Sequence, residues 1–504
     1  MNRWNLTGCL VGAIFLMAAQ APAAPSVTIY NQNFAVVRDQ LALDLKKGVN
    51  EISATDITAH LEPNSVVLRD PDGKRSLRIL EQDYRAEPIS EGLLLSLYEG
   101  KEITFLRDTN AILGKIIRSG YVPHSSGMQR YGQDYRMMQG AYASPQNGGG
   151  QPIIEVDHQL RFSLPGQPQF PSLPDDTILK PTLHWLLETD QGGKSKAELS
   201  YVTGGMAWAA DYNLVSPELD DRMDIVGWVT MDNQSGKTFA NARIKLMAGD
   251  VNKIQPDGAA YDRSEYLGFS GAARGMQPPV SEKAFDDYHL YVLNRPVTLH
   301  DRETKQVEFI RAANVKSDRI YVYDGVMLDR NRYRGYALEN IRQDRDYGTK
   351  CNPKVWVMRE IKNSESNRLG IPLPAGRVRF YRQDTDGQLE FTGENTIDHT
   401  PKDETLRIYT GNAFDISGSR KRTDFKIDNS HSWCDESFEI KLQNHKEKET
   451  VEVRVVEHLY RWTNWTITEK TNTFLKTDSQ TAEFRLQLKP GEEQTITYTV
   501  HYSW

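Results

Sequence analysis

The sequence predicts an all-β protein, built as several β-sandwich or small-barrel domains with long irregular insertions. Three observations carry that reading. Apolar and polar residues alternate with period two in many short runs, as where Phe484, Leu486 and Leu488 interleave with Glu483, Arg485 and Gln487. Such alternation turns one face of a strand to a core and the other to water. Glycine and proline interrupt these runs at short intervals, as turns between strands do. Long runs with helical periodicity are absent.

The chain opens as an exported protein would. Arg3 supplies a positive start, Cys9 to Ala19 is apolar but far too short to span a bilayer, and Ala21-Pro22-Ala23 offers small residues at a cleavage site. Residues 1–23 therefore read as a signal peptide, with the mature chain starting near Ala24, in the periplasm or at the cell surface. Leu6-Thr7-Gly8-Cys9 spells a lipobox-like tetrapeptide, but a lipoprotein signal carries its apolar segment before the cysteine, and here it follows. No later stretch is long and apolar enough for a membrane helix, and the mean hydropathy is −0.59. Net charge is −7, and loss of Arg3 with the signal leaves −8. That mild acidity argues against a nucleic-acid partner, which calls for a basic footprint.

A length of 504 residues suggests about three domains. We place a first β domain at 24–88, with strands at Val27 to Tyr30, Ala35 to Val37 and Val66 to Leu68. A small barrel-like unit follows at 89–178, with strands at Leu93 to Tyr98, Ile103 to Leu106 and Ile112 to Arg118. Its segment 121–151 is rich in Tyr, Gln, Gly, Ser and Met, cannot pack a core, and is expected to be a mobile loop. A middle sandwich spans 179–316 with an insertion at 255–285. A C-terminal sandwich spans 317–504 with an insertion at 329–350. Arg319 to Tyr323 and Val355 to Met358 read as central strands. The last two strands, split by Lys489-Pro490-Gly491-Glu492, read as the clearest hairpin of the chain.

Candidate chemistry is sparse. Cys351 and Cys434 remain after the signal, an even number in an exported chain, so a disulfide is expected. It would close a loop of about 83 residues and contribute about 4 kcal/mol. His431-Ser432-Trp433-Cys434-Asp435-Glu436 offers a base, a thiol and carboxylates, but fits no zinc spacing, and a turn entering a strand accounts for it. Met128, Met137 and Met138 near His124 have soft ligands for Cu(I) at irregular spacing, as a methionine-containing loop would. Within 329–350, Arg330, Arg332, Arg334, Arg342 and Arg345 interleave with Tyr333, Tyr336 and Tyr347. Asp329, Glu339, Asp344 and Asp346 nearly cancel that charge, which favours a solvated loop over a polyanion grip. Tyr460, Trp462 and Trp465 crowd one strand region and form the candidate binding surface, for stacking on sugars or for a protein partner; cross-strand packing is the alternative. No metal, cofactor or catalytic residue is assigned. Walker loops, Gly-x-Ser-x-Gly elbows, His-Glu-x-x-His and dinucleotide fingerprints are all missing.

From Pro181 onward the motifs become more specific. Tyr201 to Trp208 reads YVTGGMAW, and Asn233 to Phe239 reads NQSGKTF. Leu369 to Tyr381 reads LGIPLPAGRVRFY, and Gly411 to Asp415 reads GNAFD. In this order they resemble the domain of unknown function 4139 family across Pro181 to Trp504. The N-terminal part is similar to mucoidy-inhibitor-like proteins, which carry a long helical segment that this chain lacks. The resemblance implies exported, β-rich bacterial proteins and brings no catalytic residues. The expected function is binding or scaffolding, with a protein or glycan partner. A glycan- or peptide-directed hydrolase is the alternative, and an outer-membrane β-barrel ending on Trp504 is the next.

Overall fold

The computed structural model describes residues 24–86, 89–121, 151–173, 180–217, 221–249, 251–253, 280–285, 288–329, 331–428, 430 and 432–504. Of these residues, 61% are strand and 5% helix, in several separate sheets with no closed barrel among them. The all-β, multi-domain fold is as the alternation predicts. No helix among the described residues is long and apolar enough to cross a membrane.

The largest core lies between three sheets. An eight-stranded sheet runs in the order Val280–Phe285, Tyr288–Leu293, Phe239–Ala248, Ser26–Tyr30, Phe34–Leu45, Gly193–Gly204 and Val67–Arg69, with Val297–Leu299 paired to Phe239–Ala248. A three-stranded sheet holds Gly48–Thr55, Thr182–Thr189 and Leu77–Arg85. A central sheet holds Glu303–Val315, Met223–Asn233, Met206–Ser216, Gly376–Gln383 and Leu389–Ile397. Trp185, Tyr201, Tyr212 and Phe309 fill the space between them and are almost wholly buried.

These sheets cross the boundaries read from the sequence. Phe34–Leu45 pairs along its full length with Gly193–Gly204, so the strands of 24–88 and of 179–316 share one core. Gly376–Ile397, placed by sequence in the C-terminal sandwich, completes the central sheet. Local alternation reports which face a strand buries, and not which strand it pairs with. Gly205 marks where the chain leaves the eight-stranded sheet for the central one. Its φ of +75° and the Gln234 carbonyl 2.8 Å from where a Cβ would stand leave room for glycine alone.

The small unit is a five-stranded antiparallel sheet with its own core of Phe105, Ile116 and Ile154. Leu93 to Tyr98, expected as a strand, is instead the helix Glu91–Leu97. Ser90 caps it by accepting from the Leu93 amide (3.1 Å), and leucines without β-branching suit a helix. A short apolar run does not by itself separate the two periods. The end of the expected 255–285 insertion is strand Val280–Phe285, paired with Tyr288–Leu293. Residues 122–150, including Met128, Met137, Met138 and His124, lie outside the described residues.

The third core lies inside a nine-stranded sheet. Its order is Trp465–Lys470, Glu493–Ser503, Trp433–Asn444, Thr405–Ile427, Lys354–Lys362, Asp318–Asp324, Val451–His458, Thr481–Leu488 and Phe474–Lys476. The sheet curls until its halves face each other. Trp465 and Phe474, on its two end strands, come to 6.3 Å, and Phe484 packs on Tyr498 at 5.7 Å. The terminal pair is therefore not a hairpin. Thr481–Leu488 pairs with Val451–His458, and Glu493–Ser503 with Trp433–Asn444. The Lys489–Glu492 turn joins two facing walls, because both strands carry a row of large apolar side chains that bury best against each other.

Three buried asparagines hold crossings of the chain, two between sheets and one between facing halves of the curled sheet. Asn233 ends Met223–Asn233 before the chain passes to the eight-stranded sheet. Its Nδ2 donates to the carbonyls of Lys237 (2.8 Å) and His300 (3.0 Å), and its Oδ1 accepts from the Ser235 amide (3.1 Å). Asn363 follows Lys354–Lys362 before the passage to the central sheet. It donates to Ile371 (2.8 Å) and Pro401 (2.7 Å) and accepts from Gly370 (3.0 Å). Asn444 ends Trp433–Asn444 before Val451–His458, donating to Glu449 (2.9 Å) and Lys489 (3.1 Å) and accepting from Lys446 (3.1 Å). All three are fully buried. After each crossing the new strand runs parallel to an earlier one: Phe239–Ala248 to Ser26–Tyr30, Gly376–Gln383 to Met206–Ser216, and Val451–His458 to Asp318–Asp324.

A parallel pair needs a crossover, and a buried crossover leaves backbone groups off the ladder. A carboxamide satisfies both kinds, whereas a carboxylate cannot donate. Asn363→Asp should therefore lower unfolding free energy by about 2–3 kcal/mol, read by urea denaturation. An unchanged midpoint would show that the crossing does not depend on the amide.

Candidate functional site

A cleft of about 260 Å³ opens where the central sheet meets the nine-stranded sheet. The central sheet supplies Ser216, Phe380, Arg382 and Thr392; the facing sheet supplies Arg319, Tyr321, Arg359 and the run Thr410, Asn412–Asp415; Lys446 closes the side. Strand register builds the cationic wall. Arg319 and Arg359 stand opposite each other on paired strands. Both reach the same carboxylate oxygen, Asp221 Oδ1, through Arg319 Nη2 (2.6 Å) and Arg359 Nη1 (2.7 Å). A second cleft of about 440 Å³, lined by Asp221 and Arg454 among others, shares Arg319 with the first.

Charge in the first cleft is not balanced by Asp221 alone. Arg359 is 6% exposed, and its burial holds the guanidinium below its usual value. Asp221 opposes that shift, and the nearby cations Arg319 and Arg382 add to it. Burial works to raise the Asp221 carboxyl, but hydrogen bonds and charge from Arg319 and Arg359 outweigh it and keep it low. Arg319 Nε is buried with no hydrogen-bond partner among the described residues. Lys446 donates to Glu449 (2.6 Å) and lies 5.4 Å over the Tyr321 ring.

Phe414 stands at this cleft with 98% of its surface exposed. It belongs to a bulge: between Asn412 and Ser417 the strand gains residues while its partner advances only from Trp356 to Lys354. Counted by alternation from Leu406 and Ile408, Phe414 is an inward position, and the register shift turns it out. Sequence reading therefore passed over it, although it lies in the quoted GNAFD run. In the sequence Arg319 opens the run Arg319 to Tyr323 and Arg359 follows Val355 to Met358, and nothing local brings the two together.

Of the basic and aromatic segment 329–350, the described residues 331–350 are docked rather than loose. It holds a short helix, Leu338–Gln343. Arg461 donates to the carbonyls of Ile341 (2.6 Å), Arg342 (3.1 Å) and Asp344 (3.0 Å) at the end of that helix, and Arg420 to Gly348 (2.7 Å). Arg342 lies 3.9 Å over the Trp462 ring. Behind these contacts lie buried ion pairs. Arg461 meets Glu436 at 2.9 Å and Arg420 meets Glu457 at 2.8 Å, all four residues within the core of the curled sheet.

The other sequence candidates separate. Trp465 is core, its Nε1 donating to Ser479 (2.7 Å); Trp462 is half-buried under Arg342; Tyr460 is the exposed one, stacked on His458 at 4.8 Å. Cys434 and Glu436 point inward while Asp435 points out to His501 Nδ1 (2.7 Å), so strand alternation divides that cluster between two faces. His431 is outside the described residues.

The expected disulfide is absent: Cys351 and Cys434 are both free. Cys434 stands opposite Ile427, whereas Pro353, two residues from Cys351, bonds Gly418 on that same strand. The strand between Gly418 and Ile427 spans roughly 30 Å if straight, far beyond the ~7 Å limit for a bridge. Burial pushes the Cys434 thiol up to about 12, so it is inert at neutral pH.

His458 is clamped on both ring nitrogens, by Asp324 Oδ2 at 3.1 Å and Thr481 Oγ1 at 3.4 Å. No protein-family model matches the chain, and no curated protein matches it.

Two outcomes follow from these groups. Glu436 also meets Arg422 at 3.2 Å, so Glu436→Gln leaves both Arg461 and Arg422 without their carboxylate, and should cost about 3 kcal/mol by urea denaturation; a loss below about 1 kcal/mol would mean the pairing is dispensable. The Asp324 hydrogen bond raises the His458 pKa above 6.5, against its burial. The resulting stability is full below 6.5 and is lost as pH rises through the raised value. Ring-proton NMR should place the His458 midpoint above 6.5, and Asp324→Asn should bring it down.

Proposed function

We propose that this chain is an exported binding or scaffold protein of the bacterial periplasm or cell surface, and that it receives its ligand or partner in the cleft between the central and nine-stranded sheets. The observation that carries this reading is the meeting of Arg319, Arg359 and Arg382 with the fully exposed Phe414 in that one cleft. An apolar ring held wholly in water is costly and needs a reason, and a bulge that re-aims a side chain is a common device beside sites. The cleft supplies charge, hydroxyl and amide groups and an aromatic face, which is binding chemistry. The signal-like start and the resemblance to the domain of unknown function 4139 family support the compartment.

Native mass spectrometry of protein taken from its own periplasm tests the reading. The expected result is an added mass, ligand or partner, that leaves on denaturation and is missing from an Arg382→Ala/Phe414→Ala double variant. An added mass retained by that variant would move the site elsewhere. A bare chain in both samples would count against a resident occupant.

A further inference from the structure

One sheet edge, on neither wall of the cleft, is left open. Gly48–Thr55 pairs with Thr182–Thr189 on one side, and on its other side no backbone bond reaches it among the described residues. In an antiparallel pair alternate residues turn both N–H and C=O away from the partner, so the free side is a row of backbone groups ready for another strand. Folded proteins blunt such edges with bulges, charges or proline. Among the described residues, the three other edge strands of at least this length do so. Leu77–Arg85, Glu303–Val315 and Leu389–Ile397 are each broken by a bulge and carry two or more charged side chains. Gly48–Thr55 keeps an unbroken register, has no proline and carries one charge, Glu51.

The core row at this edge is unfinished. Trp185 is fully buried, but Ile52 opposite it is only half-buried, at the place a further strand would cover. The strand is also complementary to itself. Antiparallel pairing about a twofold axis sets same-face residues opposite each other when the register centres on one residue. Centred on Glu51, it would oppose two carboxylates. Centred on Ser53, it would shorten the overlap and set Ile52 against Ala54. Centred on Ile52, it sets Ile52 against Ile52 of the second copy, Val49 against Thr55, and Glu51 against Ser53 twice, with the two Glu51 side chains on a diagonal. The apolar row of Trp185 and Ile52 then continues across the axis into the same two residues. Ser53 already meets His184 Nδ1 at 2.9 Å, which puts an imidazole just behind the hydroxyl that the incoming Glu51 faces.

We infer that a second copy of this chain adds to the Gly48–Thr55 edge, antiparallel and centred on Ile52, and makes one six-stranded sheet across the twofold axis. Backbone bonds supply the attachment, the Ile52 pair closes the core row, and the place of Glu51 fixes the register.

Sedimentation of the full mature chain over a series of concentrations tests this. One strand edge buries less than a standard interface, so a monomer–dimer equilibrium in the micromolar range is expected. Ser53→Glu changes only an exposed side chain, yet opposes glutamates at two places in the dimer, and should weaken it about tenfold. Adding Glu51→Lys to that variant turns both contacts into opposite-charge pairs and should restore the dimer, with the thermal midpoint of the monomer unchanged in both. In a Cys351→Ser background, Ile52→Cys should give a disulfide-linked dimer on mild oxidation and Ser53→Cys should not, because residue 52 alone meets itself. A chain that stays monomeric into the millimolar range overturns the inference and leaves the edge to a strand from another protein. So does a dimer indifferent to Ser53→Glu, or one that Ser53→Cys links and Ile52→Cys does not.

Discussion

Everything in this molecule depends on getting a buried chain from one sheet, or one wall of the curled sheet, to another without stranding its backbone polar groups. Asn233, Asn363 and Asn444 solve that problem in the same way. Each leaves a strand, turns inward, and gives its amide hydrogens to carbonyls that no ladder reaches. Each crossing then delivers a strand into a parallel pair. The layers are thus tied by side-chain amides at three interior points, where the alternative would be unpaired backbone at a cost of kilocalories per group.

The Asn363 crossing also makes the cleft. The strand before it, Lys354–Lys362, carries Arg359 on the nine-stranded sheet, and the strand after it, Gly376–Gln383, carries Phe380 and Arg382 on the central sheet. One connection therefore places two walls of the site face to face. Asp221, from the end of the chain segment that follows Met206–Ser216, enters between the arginines and keeps Arg319 and Arg359 in place. Arg319 lines both clefts, so Asp221, paired with it, ties their charge together.

Inside the curled nine-stranded sheet the logic is different. Glu436 and Glu457 occupy inward strand positions where alternation calls for apolar residues, and they are affordable only because Arg461 and Arg420 are buried with them. Those arginines have donors to spare and spend them on the carbonyls of the 331–350 segment. Acid, base and docked segment form one unit. A reading that counts only the segment's own near-balanced charges misses it, because its docking groups come from Arg420 and Arg461, well over fifty residues later in the sequence.

The sequence by itself determined the all-β class, the faces of most strands, and the turns that part them, because alternation and turn chemistry are local and need no partner. It also placed Arg319 to Tyr323 and Val355 to Met358 in the interior of a sheet, since apolar residues on both faces leave a strand no water-facing side. Tertiary structure decided who pairs with whom. The terminal strands face each other instead of pairing, Leu93 to Tyr98 winds into a helix under the Ser90 cap, and residues 24–69 join a core begun by strands more than a hundred residues away. It decided the cysteines too, because pairing needs a distance that register alone sets. And it decided the cleft, since Arg359, Arg382 and Phe414 come together only through a crossing and a bulge, neither of which leaves a period in the sequence.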